Sequence, residues 1–251
     1  MSIQETRQLG IEFERRIQTM IPEREFLNKL DTETIYSFLN QYQDKYVHDI
    51  YRNLDNIPSG SKLSAHVESV LQSLLKSWTV KKGSENETSI VDPLGISIVD
   101  TARSMTFELP DDFYMYIRSV SNVSSTYSYK NCTNKNHTDI IPNQLVSQND
   151  VWKLIETPHN SLRILRNPAI TFGPNKTVSV IYDRYTNIDG IKILYYKQPS
   201  HFSILNNTPC ELPIDAFDDL VSGAVDLYVQ YAAGAEANKR RQDEAAKQQA
   251  K

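Results

Sequence analysis

The hydrophobic period changes twice along this chain, and few architectures accept such a change. From Thr6 to Ile21 the apolar residues Leu9, Phe13, Ile17 and Met20 fall three to four residues apart and stop at Pro22, the spacing of one buried helical stripe. A second run starts with Asp31 or Thr32 as its cap and carries Ile35, Phe38, Leu39, Tyr42, Tyr46, Ile50 and Leu54 to the break at NIPSGS. A third, SKLSAHVESVLQSLLKSW, aligns Leu63, Val67, Val70, Leu71, Leu74, Leu75 and Trp78. The chain is therefore expected to be helical through Trp78.

The period then shortens. VKKGSENET has the charge and glycine of a surface connector, and SIVDPLGISIVDTARSMTF is interrupted by Pro93 and Gly95. ELPDDFYMYIRSVSNVSSTYSY opens on a proline-led acidic turn, after which Met115, Ile117 and Val120 suit a strand. SLRILR, AITFG, TVSVIYDR and IKILYYKQP are short and β-branched or aromatic, and Asn-Pro, Gly-Pro-Asn and Asp-Gly pairs punctuate them as turns. Together they predict an antiparallel sheet.

The helical period returns in CELPIDAFDDLVSGAVDLYVQ, residues 210–230. Pro213 suits a first helical turn, and Asp215, Asp218 and Asp219 put negative charge where the helix dipole favours it. Phe217, Leu220, Val221, Ala224, Val225, Tyr228, Tyr231 and Ala232 form the stripe. Gly223 in mid-helix costs about 1 kcal/mol against alanine, a cost met where another backbone comes close. The expected class is α+β: a bundle of N-terminal helices and a C-terminal helix, with an antiparallel β domain inserted. The boundaries read as 1–107 helical, 108–209 mainly β, 210–234 the returning helix and 235–251 a polar tail.

Charge and motifs remove several functions. With 27 basic and 31 acidic residues the net charge is −4, so bulk phosphate binding is disfavoured. ERRIQTMIPERE alternates its signs where a DNA-binding helix would show a basic face. The N-terminus lacks the apolar core of a signal peptide and no stretch is long enough to span a bilayer; a soluble protein made inside a cell is expected. The six glycosylation-type triplets beginning at Asn86, Asn122, Asn131, Asn136, Asn175 and Asn206 then read as chance in an Asn- and Thr-rich chain. Cys132 and Cys210 are isolated, and the five histidines are dispersed, so no metal or cofactor site is expected. PSGSKLS is only a fragment of a phosphate loop, and Cys132, His137 and Asp139 share a short polar loop that offers no scaffold for a triad.

Clustered carboxylates can hold magnesium, so Asp111–Asp112 and Asp218–Asp219 raise the alternative of a small metal-dependent nuclease or other enzyme. Each pair follows a Leu-Pro at a predicted helix start, where the dipole alone accounts for it.

The tail AGAEANKRRQDEAAKQQAK joins strong helix formers to mixed charge and has almost no large apolar residue. Burial within its own chain cannot order it, so it is expected to fray unless a neighbour holds it. Lys239, Arg240, Arg241 and Lys247 are the candidate contacts to such a neighbour.

Two stretches, ELPDDFYMYIRSVSNV and CELPIDAFDDLVSGAVDLYVQ, with IIPNQLVSQNDVWKLIETPHNSLRILRNPAITF and IKILYYKQP in order between them, resemble structural proteins of crAss-like phages. With the N-terminal helices the whole is similar to the adaptor rings under the portal of short-tailed phages. The resemblance spans roughly residues 90 to 235 and rests on order rather than on a catalytic signature. It implies a non-enzymatic virion protein of the tail or neck, a homo-oligomeric ring of dodecamer type. Its partners would be the portal protein and other ring or tail proteins, with no membrane contact. DNA would pass through the lumen without specific binding, and a near-neutral to acidic lining would not grip it.

Overall fold

The computed structural model describes residues 1–20, 30–54, 64–83, 102–125, 137–156, 167–183 and 186–249. They divide into a helical unit, Met1–Leu74 with Pro199–Lys251, and a β unit, Leu75–Gln198. The α+β class follows directly, with the β unit inserted in the helical one.

The helical unit contains α1 (Ile3–Met20), α2 (Thr32–Leu54), α3 (Ala65–Leu74) and α5 (Phe217–Gln249), the last entered through a 3-10 turn at Ile214–Ala216. The stripes read from the sequence supply its core: Leu9, Phe13 and Ile17 from α1, Ile35, Leu39 and Ile50 from α2, Val70, Leu71 and Leu74 from α3, and Leu220, Val221, Ala224 and Val225 from α5. Each large side chain buried in this way contributes about 1.5–3 kcal/mol.

The irregular segment leading to α5 has backbone groups that no ladder satisfies, and side chains of α1 and α2 satisfy them. Asn40 grips Phe202 twice, donating to its carbonyl at 2.9 Å and accepting its N–H at 3.0 Å. The fully buried Gln43 donates to the Ser200 carbonyl and accepts from the Cys210 thiol. The Thr6 hydroxyl accepts the Cys210 N–H at 3.0 Å. The Cys210 thiol is pushed up to about 11 by burial, so it serves as a buried donor and not as a thiolate.

Among the described residues the β unit holds two four-stranded sheets. In the first, β1 (Leu75–Lys81), β8 (Thr186–Lys197), β3 (Phe113–Ser125) and β4 (His137–Pro142) follow in that spatial order, all antiparallel. In the second the order is β2 (Ala102–Glu108), β7 (Thr177–Asp183), β6 (Ala169–Gly173) and β5 (Gln144–Leu145), and the β5–β6 pair is parallel. A short helix, α4 (Gln148–Glu156), follows β5. Both sheets feed one core, with Val80, Val123, Ile188, Ile191, Ile193 and Tyr195 from the first and Met105, Phe107, Ile170, Val178 and Val180 from the second.

Three expectations are corrected. The third helix ends at Leu74, and Leu75–Lys81 is a strand, so the change from helix to sheet falls at 74/75 and not at 107/108. From Trp78 the sequence alternates, Trp78 and Val80 turning to the core, and β1 pairs with β8 residue for residue from Leu75↔Tyr196 to Lys81↔Gly190; tertiary pairing outweighs a stripe that merely continues a helical one. Second, Asp189–Gly190 is not a turn but lies inside β8. Asn122 faces Gly190 and Val123 faces Ile188, leaving Asp189 as the extra residue of a bulge. The bulge restores Ile188 to the core face that Ile191 and Ile193 share. A Cβ on Gly190 would come within 2.6 Å of the Val80 carbonyl oxygen, so glycine is required where the neighbouring backbone passes. Third, the backbone of α5 is helical to Gln249, where fraying from 235 was expected; alanine, glutamine and charged residues of high helix propensity continue the element after its apolar stripe ends. SLRILR and Leu63 lie outside the described residues. Gly-Pro-Asn does form a turn, between β6 and β7, with Asn175 and Lys176 at φ 58° and 54°.

Candidate functional site

Pro213, extended at φ −69°, caps the 3-10 turn, and the Ala216 N–H donates to its carbonyl at 3.2 Å. Asp218 and Asp219 then occupy the first turn of α5. From there α5 runs antiparallel to α2. Tyr46 lies beside Asp219, Tyr42 over Gly223, and Phe38 against Tyr228 and Tyr231 with ring centroids 5.4 and 5.7 Å away. The close approach inferred at Gly223 is real, but a side chain makes it: a Cβ there would fall inside the Tyr42 ring.

This pairing sets where α2 runs out. Each step back along α2 is matched by a step forward along α5, so Thr32, the first residue of α2, comes level with Ala233. A Cβ on Gly234 would meet nothing within 4 Å. The helix nevertheless continues for the 16 residues from Gly234 to Gln249, about 24 Å at 1.5 Å per residue. Lys239, Arg240, Arg241 and Lys247 all lie on this distal half.

The α2–α5 face beside it is aromatic and acidic. Tyr42 and Tyr46 stack with centroids 6.2 Å apart. The Tyr46 hydroxyl meets His66 Nε2 at 2.6 Å, and the same nitrogen lies 3.1 Å from the Asp219 carboxylate. Burial, reinforced by Asp219, pushes the Tyr46 hydroxyl up to about 12. Tyr42 is also raised, by burial first and then by Asp219, Asp49 and Asp226; Asp49 and Asp226 are exposed. Asp218 takes a different partner, the Arg16 guanidinium, which also donates to the Ser222 hydroxyl.

The other acidic pair belongs to the β unit and stands on a turn into β3, not at a helix start. Asp112 accepts from Lys76 and, at 2.9 Å, from the Tyr195 hydroxyl. Burial opposes ionisation of Asp112, but these two hydrogen bonds outweigh it and hold the carboxyl below its ordinary value. The Asp111 carbonyl accepts from Lys176, whose amine is 3.8 Å from the Asp111 carboxylate. Within each pair the two carboxylates thus turn to different partners. Among the described residues no three His, Cys, Asp or Glu side chains are grouped to hold a metal ion. His137 and Asp139 belong to β4, and Cys132 lies outside the described residues. No described helix is long and apolar enough to cross a membrane.

Gly223 and the acidic start of α5 are legible in the sequence, but the Tyr46–His66–Asp219 group, whose members are 20 and 153 residues apart, is not. The available clue was the i,i+4 pair Tyr42 and Tyr46, two amphipathic rings in a helix that had enough aliphatic residues for its core. No family model matches the sequence, and no curated protein is significantly similar to it.

Proposed function

We propose that the chain is a structural subunit of a virion head-to-tail connector. In this reading it forms a homo-oligomeric ring between portal and tail, through which the genome passes during packaging and ejection. The observation that carries the assembly part is α5 outrunning its bundle. A helix of 33 residues whose distal half offers no large apolar side chain gains little from its own chain, and an extended polar helix of this kind suits contact with a neighbour. The virion assignment leans on the stretches 108–123 and 210–230, which resemble crAss-like phage connectors; the first holds the turn into β3 and most of that strand, and the second the approach to α5 and its first turns. An α+β chain with distinct helical and β surfaces suits the heterologous contacts that close a ring.

The nuclease alternative needs the carboxylates of one pair to converge on a cation. Instead Asp111 and Asp112 turn to Lys176 and Lys76, and Asp218 and Asp219 to Arg16 and His66.

Electron-microscopy class averages of the protein expressed with its portal partner test the reading. Annular particles bridging portal and tail components are expected. A chain that joins no portal or tail protein, or one that cleaves DNA in magnesium and stops on Asp112→Asn, overturns it.

A further inference from the structure

Charge is segregated along the C-terminal part of the chain. Residues 199–234 carry Glu211, Asp215, Asp218, Asp219 and Asp226 and no lysine or arginine, whereas residues 235–251 carry five basic residues against three acidic ones. Acid near the start of a helix and base near its end complement its dipole, but this arrangement also puts opposite charges on two separate stretches of one helix. Thirteen residues separate Asp226 from Lys239, about 20 Å along a continuous helix. The basic end therefore cannot bend back onto the acidic start of its own α5.

We infer that the distal half of α5 docks, through Lys239, Arg240 and Arg241, on the Tyr42–Tyr46–Asp49–Asp226 face of a second copy of this chain. The face suits guanidinium and ammonium groups in two ways. The half-buried Tyr42 and Tyr46 rings, stacked on each other, give apolar surface along which the stems of lysine and arginine can lie, and the exposed Asp49 and Asp226, with Asp219 behind them, supply carboxylates within electrostatic reach of Tyr42. A second copy fits better than a nucleic acid because Glu236, Asp243 and Glu244 are interspersed among the basic residues, where they would repel a phosphate backbone. Glu236 precedes Arg240, and Asp243 precedes Lys247, by four residues, a spacing that supports the helix while leaving a net positive arm. Arm and face are different surfaces, so the contact is heterologous and repeats from copy to copy. The inference deepens the assembly part of the proposed function and rests on it, but it does not require a virion.

The test is sedimentation velocity on the full chain and two charge-reversed variants, with helix content followed by circular dichroism. The arm variant is Lys239→Glu with Arg240→Glu and Arg241→Glu, and the face variant is Asp49→Lys with Asp226→Lys. The unaltered chain should self-associate, and raising salt from roughly 50 to 500 mM should weaken association at least about tenfold. Each variant alone should be monomeric, and an equimolar mixture should associate again, because each then offers what the other lacks. A monomeric unaltered chain overturns the inference, as does a face variant that associates like the parent or an arm that captures duplex DNA while the chain stays monomeric. If the arm variant loses helix content, Arg240→Gln with Arg241→Gln replaces it; association as tight as the parent's then overturns the inference. Dimers or open filaments with the expected charge dependence keep this contact and remove the ring. An annulus on the portal that tolerates both reversals keeps the connector and removes this contact.

Discussion

The two units solve the burial of polar groups in opposite ways. In the β unit the paired strands satisfy the backbone through ladders, and buried side chains find partners close by: the Thr106 and Ser179 hydroxyls meet at 2.9 Å on paired positions of β2 and β7, and Ser121 of β3 donates at 2.6 Å to the half-buried Asn143 between β4 and β5. In the helical unit the irregular segment from Ser200 to Cys210 has backbone that no ladder reaches, and Asn40, Gln43 and Thr6 are spent on it. A sheet distributes its hydrogen bonds over many equivalent rungs, so losing one side chain costs mainly its packing. Single stitches have no substitute, so losing one leaves an orphaned backbone group.

The largest effect expected is in the β unit's packing. Phe107 is fully buried between the sheets, and Phe107→Ala should cost about 3–5 kcal/mol in urea unfolding; a loss below about 1 kcal/mol would mean the two sheets do not share one core. Next comes the helical unit's tightest contact. Gly223→Ala drives a methyl into the Tyr42 ring and should cost about 1–3 kcal/mol. Adding Tyr42→Ala should recover part of that loss in a double-mutant cycle, and strict additivity would show that the ring is not what excludes the methyl.

Removing a stitch comes third. Asn40→Ala frees the Phe202 N–H and carbonyl together and should cost about 1–3 kcal/mol, with faster amide exchange at Phe202. Thr106→Val, which removes a hydroxyl from a rung of the ladder while keeping its shape, should cost less. If it costs more, the contrast between the units fails.

Fourth is the acid limb of stability. The folded Asp112 carboxyl lies below its ordinary value of 3.8, so its contribution is present above that value and is lost as pH falls through the depressed folded one. Asp112→Asn should flatten the decline of stability below about pH 4; an unchanged acid limb would show that Lys76 and Tyr195 do not favour the ionised form. The smallest effect is Arg16→Met, which opens an ion pair with the mostly exposed Asp218 and should shift stability by about 1 kcal/mol or less.

The class of this fold is legible in the sequence because hydrophobic period depends on local geometry, and the stripes through Leu9, Phe13 and Ile17 and through Leu220, Val221, Ala224 and Val225 do become buried faces. The boundary is not legible. Leu74 and Leu75 are adjacent leucines of one apparent stripe, and only the partner strand β8, more than a hundred residues later, decides that the second begins a strand. Asp189–Gly190 misleads for the same reason: it has the composition of a turn, and a bulge against Asn122 and Val123 uses it instead. At the candidate site, Gly223 advertises close packing without saying what packs, and the His66 contact to Tyr46 and Asp219 depends wholly on three helices meeting.

The helical unit is written in two instalments, with all of Leu75–Gln198 between them. On a translating ribosome the faces of α1 and α2 that α5 covers must wait, bare, until the whole insert has emerged, whereas the β unit can close as soon as β8 is out. Late contacts between distant parts of a chain form slowly and leave sticky surface open in the meantime. Protease challenge of nascent chains stalled once Gln198 has cleared the ribosome should find the insert already resistant and the first helices still cut, so the bundle is completed only after its insert has closed.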